Sequence, residues 1–286
     1  MRRVAILGLG LIGGSLGMAL RNSGADVVVH GFDKAETARQ LALERGAADL
    51  CFTSAVEAVA QADIVILATP VLQMAALMAE IAGKLPEGCI VSDVGSTKSA
   101  VSEALEALLP AHCSYIGGHP MAGGERSGME AAQKNLFQGQ WYLLLPGKRA
   151  SAEQVEMLRN LLLPLGAKVA VMHPQEHDQW AAVISHIPHV TAAALVHLLA
   201  RAELGDARVQ MAGGGFRDTT RIASSDADMW ADICISNAEQ IHRQIGKLQD
   251  ILAECAQAVE TGDRQKLHAY FLQARTFRES WLMDLR

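Results

Sequence analysis

Aromatic side chains are scarce in this 286-residue sequence: six Phe, three Tyr and four Trp make up 5% of it. With abundant Ala, Leu and Gly around them, this composition favours an α/β or helical architecture over a β-sandwich. Cysteines number five, an odd count, and no C-x-x-C pair occurs. Each of Cys51, Cys89, Cys113, Cys234 and Cys255 lies in an apolar segment, which excludes a disulfide framework and reads as reduced thiols in a cytoplasmic protein. The sequence also has no Lys/Arg cluster and carries a net charge of -6, which weighs against a nucleic-acid partner. An anionic ligand would have to be drawn by local charge. No uninterrupted apolar run of about 18 residues is present, so no transmembrane helix is expected. The opening RRVAILGLGLIGGSLGMAL has the outline of a signal peptide, but its glycine spacing fits a strand–turn–helix and no A-x-A site follows.

What the chain does have is alternation. RVAIL at residues 3–7 is a short apolar run ending in glycine, and a helical pattern runs from Gly13 through Leu20. DVVVHGF leads into Asp33, and ETARQLALERG is an amphipathic helix stopped by Gly46. ADIVILATP and GCIVSDVG read as buried strands, the second followed by the helical SAVSEALEALL. SYIGG, WYLLLPG and AKVAVM supply further strands, with SAEQVEMLRNLLLPLG as a helix between the last two. Strands and helices at this spacing predict an α/β fold with a doubly wound, mostly parallel sheet. Near His173 the pattern changes. No strand-like run follows, and Ile233, Ile241, Ile245, Leu248 and Leu252 recur at helical spacing. The expected division is 1–172 for the sheet domain and 173–286 for an all-helical domain. The apolar stripes of the latter exceed what a small helical domain buries alone, which predicts a homodimer.

GLGLIGGS places G-x-G-x-x-G at Gly8, Gly10 and Gly13, directly between a strand and a helix. That is the Rossmann dinucleotide fingerprint: a tight turn, a close approach of backbone to pyrophosphate, and a helix N-terminus with free N–H groups, here those of Leu11 and Ile12. Asp33, ending the second strand, sits where a carboxylate binds the ribose hydroxyls. A carboxylate there repels a 2′-phosphate and only Lys34 follows closely, so NAD is preferred over NADP. Thr69 and Pro70 end the next strand, along the expected path of the cofactor.

Four later stretches carry the substrate chemistry. SDVGSTK puts Ser96 and Lys98 at the C-terminal end of a strand, and GGHPMAGGERSG puts His119 and Glu125 after the next one. The glycines around His119 allow close approach of backbone to ligand and let GGERSG move as a lid. SHIPH supplies His186 and His189, one of them a candidate for helix packing alone. An H-x-x-H pair with no third ligand at sensible spacing gives no metal site. GGGFRDTTRIASSDADMW brings Gly214, Arg217, Asp218, Arg221 and Trp230. Arg217 and Arg221 could pair with nearby aspartates on a solvated face, and Trp230 could serve the core.

Taken together, GLGLIGGS, SDVGSTK, GGHPMAGGERSG, SHIPH and FRDTTRIASSDADMW resemble the prephenate/arogenate dehydrogenases of tyrosine biosynthesis over nearly the whole length. The resemblance implies oxidative decarboxylation of a cyclohexadienol with a nicotinamide cofactor, and a helical dimerisation domain. By that resemblance His119 hydrogen-bonds the substrate's ring hydroxyl and Ser96 lies close to both. Arg221 binds a substrate carboxylate, and His189 and Trp230 line the pocket. Glu125 gates the site through an ion pair with Arg221, and Gly214 and Asp218 reach the partner subunit's pocket. It also implies tyrosine as an active-site inhibitor. Two other readings stay open. One is a β-hydroxyacid or imine reductase, which would use a helical-domain lysine, where this chain offers only Lys247 and Lys266. The other is a non-catalytic NAD sensor, for which no partner module is visible.

Overall fold

A computed structural model describes residues 1–202 and 210–284. The chain packs as two compact units, Met1–Ala238 and Glu239–Arg286. In the first unit, eight strands form one sheet: β1 (Arg2–Leu7), β2 (Val27–Phe32), β3 (Leu50–Phe52), β4 (Ile64–Leu67), β5 (Ile90–Asp93), β6 (Ser114–Pro120), β7 (Trp141–Pro146) and β8 (Lys168–Val171). Their order is β3-β2-β1-β4-β5-β6-β7-β8. All neighbours are parallel except β6 and β7, so the expected doubly wound, mostly parallel sheet is present.

The strands belong in such a sheet because both their faces are apolar. Val4 and Ile6 enter one core layer while Ala5 and Leu7 enter the other, and Ile64 and Ile66 alternate with Val65 and Leu67 in the same way. The layers are completed by α1 (Leu11–Asn22), α2 (Glu36–Glu44), α3 (Ala55–Val59), α4 (Met74–Ile81), α5 (Ser99–Leu108) and α6 (Ala152–Leu162). Helix α6 starts on a capping box in which Ser151 and Gln154 each satisfy the other's backbone N–H. The sequence reading passed over β3, α3 and α4, which are too short or too uniformly apolar to show a period.

The strand order reverses between β1 and β4, and the crevice there is where open α/β sheets take ligands. Gly8 makes the turn that opens it. Its φ of 105° lies in the left-handed region, and a Cβ would stand 2.5 Å from the carbonyl oxygen of Ala68. Gly8→Ala is therefore expected to cost about 1–3 kcal/mol of stability, read as a lowered Tm. An unchanged Tm would show that the turn relaxes freely.

From Pro174 onward the described residues hold helices and connecting loops and no strand. Helix α7 (Pro174–Ala181), a π-helical turn (Ala182–His186) and α8 (Ile187–Arg201) form one continuous run. Its mean hydropathy reaches 1.5, long and apolar enough to cross a membrane by length and composition. The absence of an uninterrupted apolar run did not show this, because polar residues punctuate it. Two of them, His177 and Asp178, are buried in the first unit. Then come α9 (Gly214–Thr220) and α10 (Ala227–Ser236), the latter capped by the Asp226 side chain on the N–H of Met229. In the second unit, α11 (Ala238–Glu260) and α12 (Arg264–Asp284) are joined by a turn at 261–263. The helical spacing of Ile233 and Ile241 thus spans two helices, broken at Asn237.

Candidate active site

One cavity of about 640 Å³ opens over the C-terminal ends of β1, β4, β5 and β6. Gly10, Leu11, Ile12, Thr69 and Pro70 line one end. Ser96, His119 and Glu125 line the middle, and His189, Arg221 and Trp230 the other end. Eleven of the positions singled out in the sequence therefore meet in one space.

Five more of those positions lie outside it. Gly8 and Gly13 shape the turn without facing the cavity. Asp33 stands beside that turn, its carboxylate accepting the N–H of Leu9 at 2.8 Å and of Ala35 at 2.9 Å. Gly214 and Asp218 are exposed on α9.

The cofactor end has the features a dinucleotide needs. Gly10 stands at the N-cap of α1 with no side chain to close the helix, so the first N–H groups of the helix remain available. A Cβ at Gly10 would meet nothing within 4 Å, which leaves room for a ligand against the backbone. The Thr69 hydroxyl is buried and has no partner among the described residues.

At the other end, His189 stacks on Trp230 with ring centroids 3.7 Å apart. The ring is oriented by its Nδ1, which lies 3.0 Å from the carbonyl oxygen of Ser185. Arg221 does not pair with the nearby aspartates. Its guanidinium donates to the Glu125 carboxylate, joining the GGERSG segment to the turn after α9. Beyond that segment, Arg45 donates to the carbonyls of Met129, Glu130 and Ala132, and fixes its far end to α2.

Beneath the cavity lies a chain of hydrogen bonds that the sequence reading missed. His119 Nδ1 is 2.7 Å from His177 Nε2, and His177 Nδ1 is 2.9 Å from Asp178 Oδ1. All three residues are buried. Burial pushes the Asp178 carboxyl up, but hydrogen bonds from His177 and from the N–H groups of Ser99 and Lys98 outweigh it and hold the group low. An ionised Asp178 only accepts, so His177 must donate from Nδ1 and accept at Nε2. His119 must then donate from its own Nδ1, which leaves Nε2 with a free lone pair. Three polar side chains thus fix one tautomer.

The ionisation state agrees. Burial, reinforced by His177, Lys98 and His186, holds His119 well below the ordinary histidine value of 6.5. Burial likewise pushes His186 down to about 4, partly offset by Asp178. Asn237 donates to the Asp178 carbonyl at 2.9 Å and lies 3.3 Å from His186 Nδ1, tying α10 to the π-helical turn. Of the two, His189 lines the cavity and His186 does not.

A dinucleotide turn and a neutral, tautomer-fixed histidine sharing one cavity define the site of a nucleotide-dependent oxidoreductase. The comparisons make this particular. Residues 16–171 match the family model for the prephenate dehydrogenase nucleotide-binding domain, and residues 173–273 match its dimerization domain. A prephenate dehydrogenase of Bacillus subtilis is 37% identical over 96% of this chain and 75% of its own length. The crystal structure of prephenate dehydrogenase from Aquifex aeolicus, in complex with hydroxyphenyl propionate and NAD+, has a TM-score of 0.91 at 31% identity, covering 98% of each chain. A Synechocystis arogenate dehydrogenase structure has a TM-score of 0.83 at 29% identity, over 98% of this chain and 99% of that one. The chain belongs to the prephenate dehydrogenase family.

Proposed function

We propose that the protein oxidatively decarboxylates prephenate, arogenate or both, using NAD. The observation that carries this reading is the single cavity in which the dinucleotide turn, the Nε2 of His119 and the cationic Arg221 come together. NAD would be held along Gly10, Leu11, Ile12, Thr69 and Pro70, with Asp33 toward its ribose, and would supply the hydride acceptor.

The residues of this chain do the rest. His119 Nε2 accepts the ring-hydroxyl proton as hydride leaves the same carbon and a carbonyl develops. Ser96 orients that hydroxyl. The electron pair freed by loss of carbon dioxide aromatises the ring and leaves a phenolate oxygen, which takes back the proton held on His119 Nε2. Arg221 binds a carboxylate bidentately, released for this by Glu125 when GGERSG moves as a lid. His189 and Trp230 close the pocket side, and free tyrosine, which shares the product's ring, competes there. No lysine among the described residues lines this cavity, which disfavours the lysine-dependent rivals.

We further assign 1–172 to cofactor binding and 173–286 to substrate closure and dimerisation. Trp180, Ile184 and Leu198 are exposed in the first unit, and Phe271, Phe277 and Trp281 in the second. Apolar surface on this scale supports a homodimer, whose partner would receive Gly214 and Asp218. A monomer in sedimentation at micromolar concentration would refute it. The five free cysteines support a cytoplasmic place.

The test of the function is NADH formation by the purified protein, with prephenate and arogenate assayed separately and NADP in parallel. Rapid NAD-dependent turnover of either substrate establishes the reaction and ranks the two. No turnover, with NADH binding demonstrated, sinks it. A pH prediction follows from His119. A base whose pKa is held below 6.5 loses activity only as pH falls through that lowered value, so kcat/KM should stay level from neutrality down past pH 6.5. An acid limb centred at or above 6.5 would contradict the assignment.

A further inference from the structure

Directly under the catalytic floor, three side chains form a second buried cluster that the reaction does not touch. Asp93 ends β5 and is fully buried, as is Lys98 at the start of α5, and Tyr115 on β6 is 1% exposed. The Asp93 carboxylate accepts four hydrogen bonds. Oδ2 takes the ammonium of Lys98 and the N–H of Gly95 at 2.8 Å. Oδ1 takes the Tyr115 hydroxyl at 2.7 Å and the N–H of Gly118 at 3.2 Å.

The two backbone donors give the cluster its meaning. Gly95 immediately precedes Ser96, and Gly118 immediately precedes His119. One carboxylate therefore pins the residue before each of the two groups that face the substrate hydroxyl. The strands come so close there that a Cβ at Gly118 would collide with the carbonyl oxygen of Asp93. Lys98 closes the circle: its side chain holds Asp93 and its backbone N–H donates to Asp178 at 2.8 Å, the far end of the His119–His177 chain.

Stability alone is a poor reason for such a cluster. Taking an ion pair out of water costs about as much as the pair returns, and well-packed apolar residues often do as well. Geometry is the better reason, since a misplacement of about 1 Å at a reacting group costs on the order of 10² in rate. We propose that Asp93, with Lys98 and Tyr115, is the positioning group of this active site, holding Ser96 and His119 in register from beneath. The inference rests on the proposed roles of those two residues.

The test compares kcat, KM for the better substrate and Kd for NADH in Tyr115→Phe, in Asp93→Asn and in the double variant Asp93→Asn/Lys98→Met. Tyr115→Phe keeps the buried ring and removes one of the four donors, so it should fold normally and lose about tenfold in kcat with KM and Kd within about twofold. Asp93→Asn should lose about 10² in kcat. The double variant removes both charges, and should recover Tm toward that of the unaltered protein without recovering kcat. Stability and turnover then part company, as a purely structural role would not allow. A kcat in Tyr115→Phe within twofold of the unaltered enzyme overturns the proposal, whatever the other variants do. His119→Asn assayed alongside separates the two levels. If it is inactive while Tyr115→Phe runs at full rate, only this inference fails; if His119→Asn turns over normally, the reading of the site fails and this falls with it.

Discussion

Replacing His119 by Asn should lower kcat by about 10²–10⁴-fold while leaving KM and NADH binding nearly unchanged, the usual worth of a general base. Asn has close to the shape of the proximal half of the imidazole, and its amide can still donate toward His177. What it lacks is a basic nitrogen facing the cavity. The hydride cannot leave without a carbonyl forming, so the hydroxyl proton must go to solvent instead. The residual rate should therefore climb with pH as water takes over, where the unaltered enzyme stays level. A kcat close to normal would remove His119 from its role.

The second large effect is expected at Asp178, which touches neither substrate nor cofactor. Asp178→Asn can present an amide N–H toward His177 Nδ1. His177 then turns its proton to Nε2, and His119 is left facing a donor where it had an acceptor. The chain of tautomers is inverted, and the His119 lone pair no longer points where the proton must go. An imidazole held in the wrong tautomer with its geometry intact loses on the order of 10⁴ in kcat, so a loss of about 10²–10⁴ is expected here. Part of it could be structural, since Asp178 also accepts from Lys98 and Ser99. An equal loss in substrate and NADH affinity would signal that. A kcat within a few-fold of normal would mean that His177 is held by something other than this carboxylate.

How much of this was legible in the sequence differs between the two ends of the cavity. The cofactor end was readable because its physics is local: glycine spacing, a strand before it and a helix after it are all contained in about 35 consecutive residues. His119 could be singled out because it ends a strand beside the dinucleotide fingerprint, in the crevice where such sheets take ligands, and there it lines the cavity. His177 and Asp178 were not. They lie in PQEHDQW, which reads as the solvated first turn of a helix, and only long-range packing carries that turn under β6. A weak signal was present in Ala181 and Ala182, small buried residues one turn further on, marking the face that presses closely against the sheet. Lys98 was read at the strand end and stands at the N-cap of α5, but a lysine in a Gly-Ser-Thr turn gives no hint of complete burial. The ion pair of Arg221 likewise joins residues 96 positions apart, which no helical spacing could show.

The antiparallel pairing of β6 with β7 has a consequence for how such an enzyme can diversify. Had the sheet continued in parallel, the chain after His119 would have had to cross over through a helix packed on the sheet face. Instead the two strands run as a ladder from Ile116 opposite Pro146 to Pro120 opposite Tyr142, closed by the N–H of Met121 on the Trp141 carbonyl at 2.7 Å. Between those rungs residues 123–127 are exposed and can change length or charge without shifting a strand, while Met129, Ala132 and Phe137 beyond them are buried in the core. The exposed part of this loop lines the cavity while the His119–His177–Asp178 chain lies beneath it, so the cavity wall can vary without touching the buried hydrogen bonds.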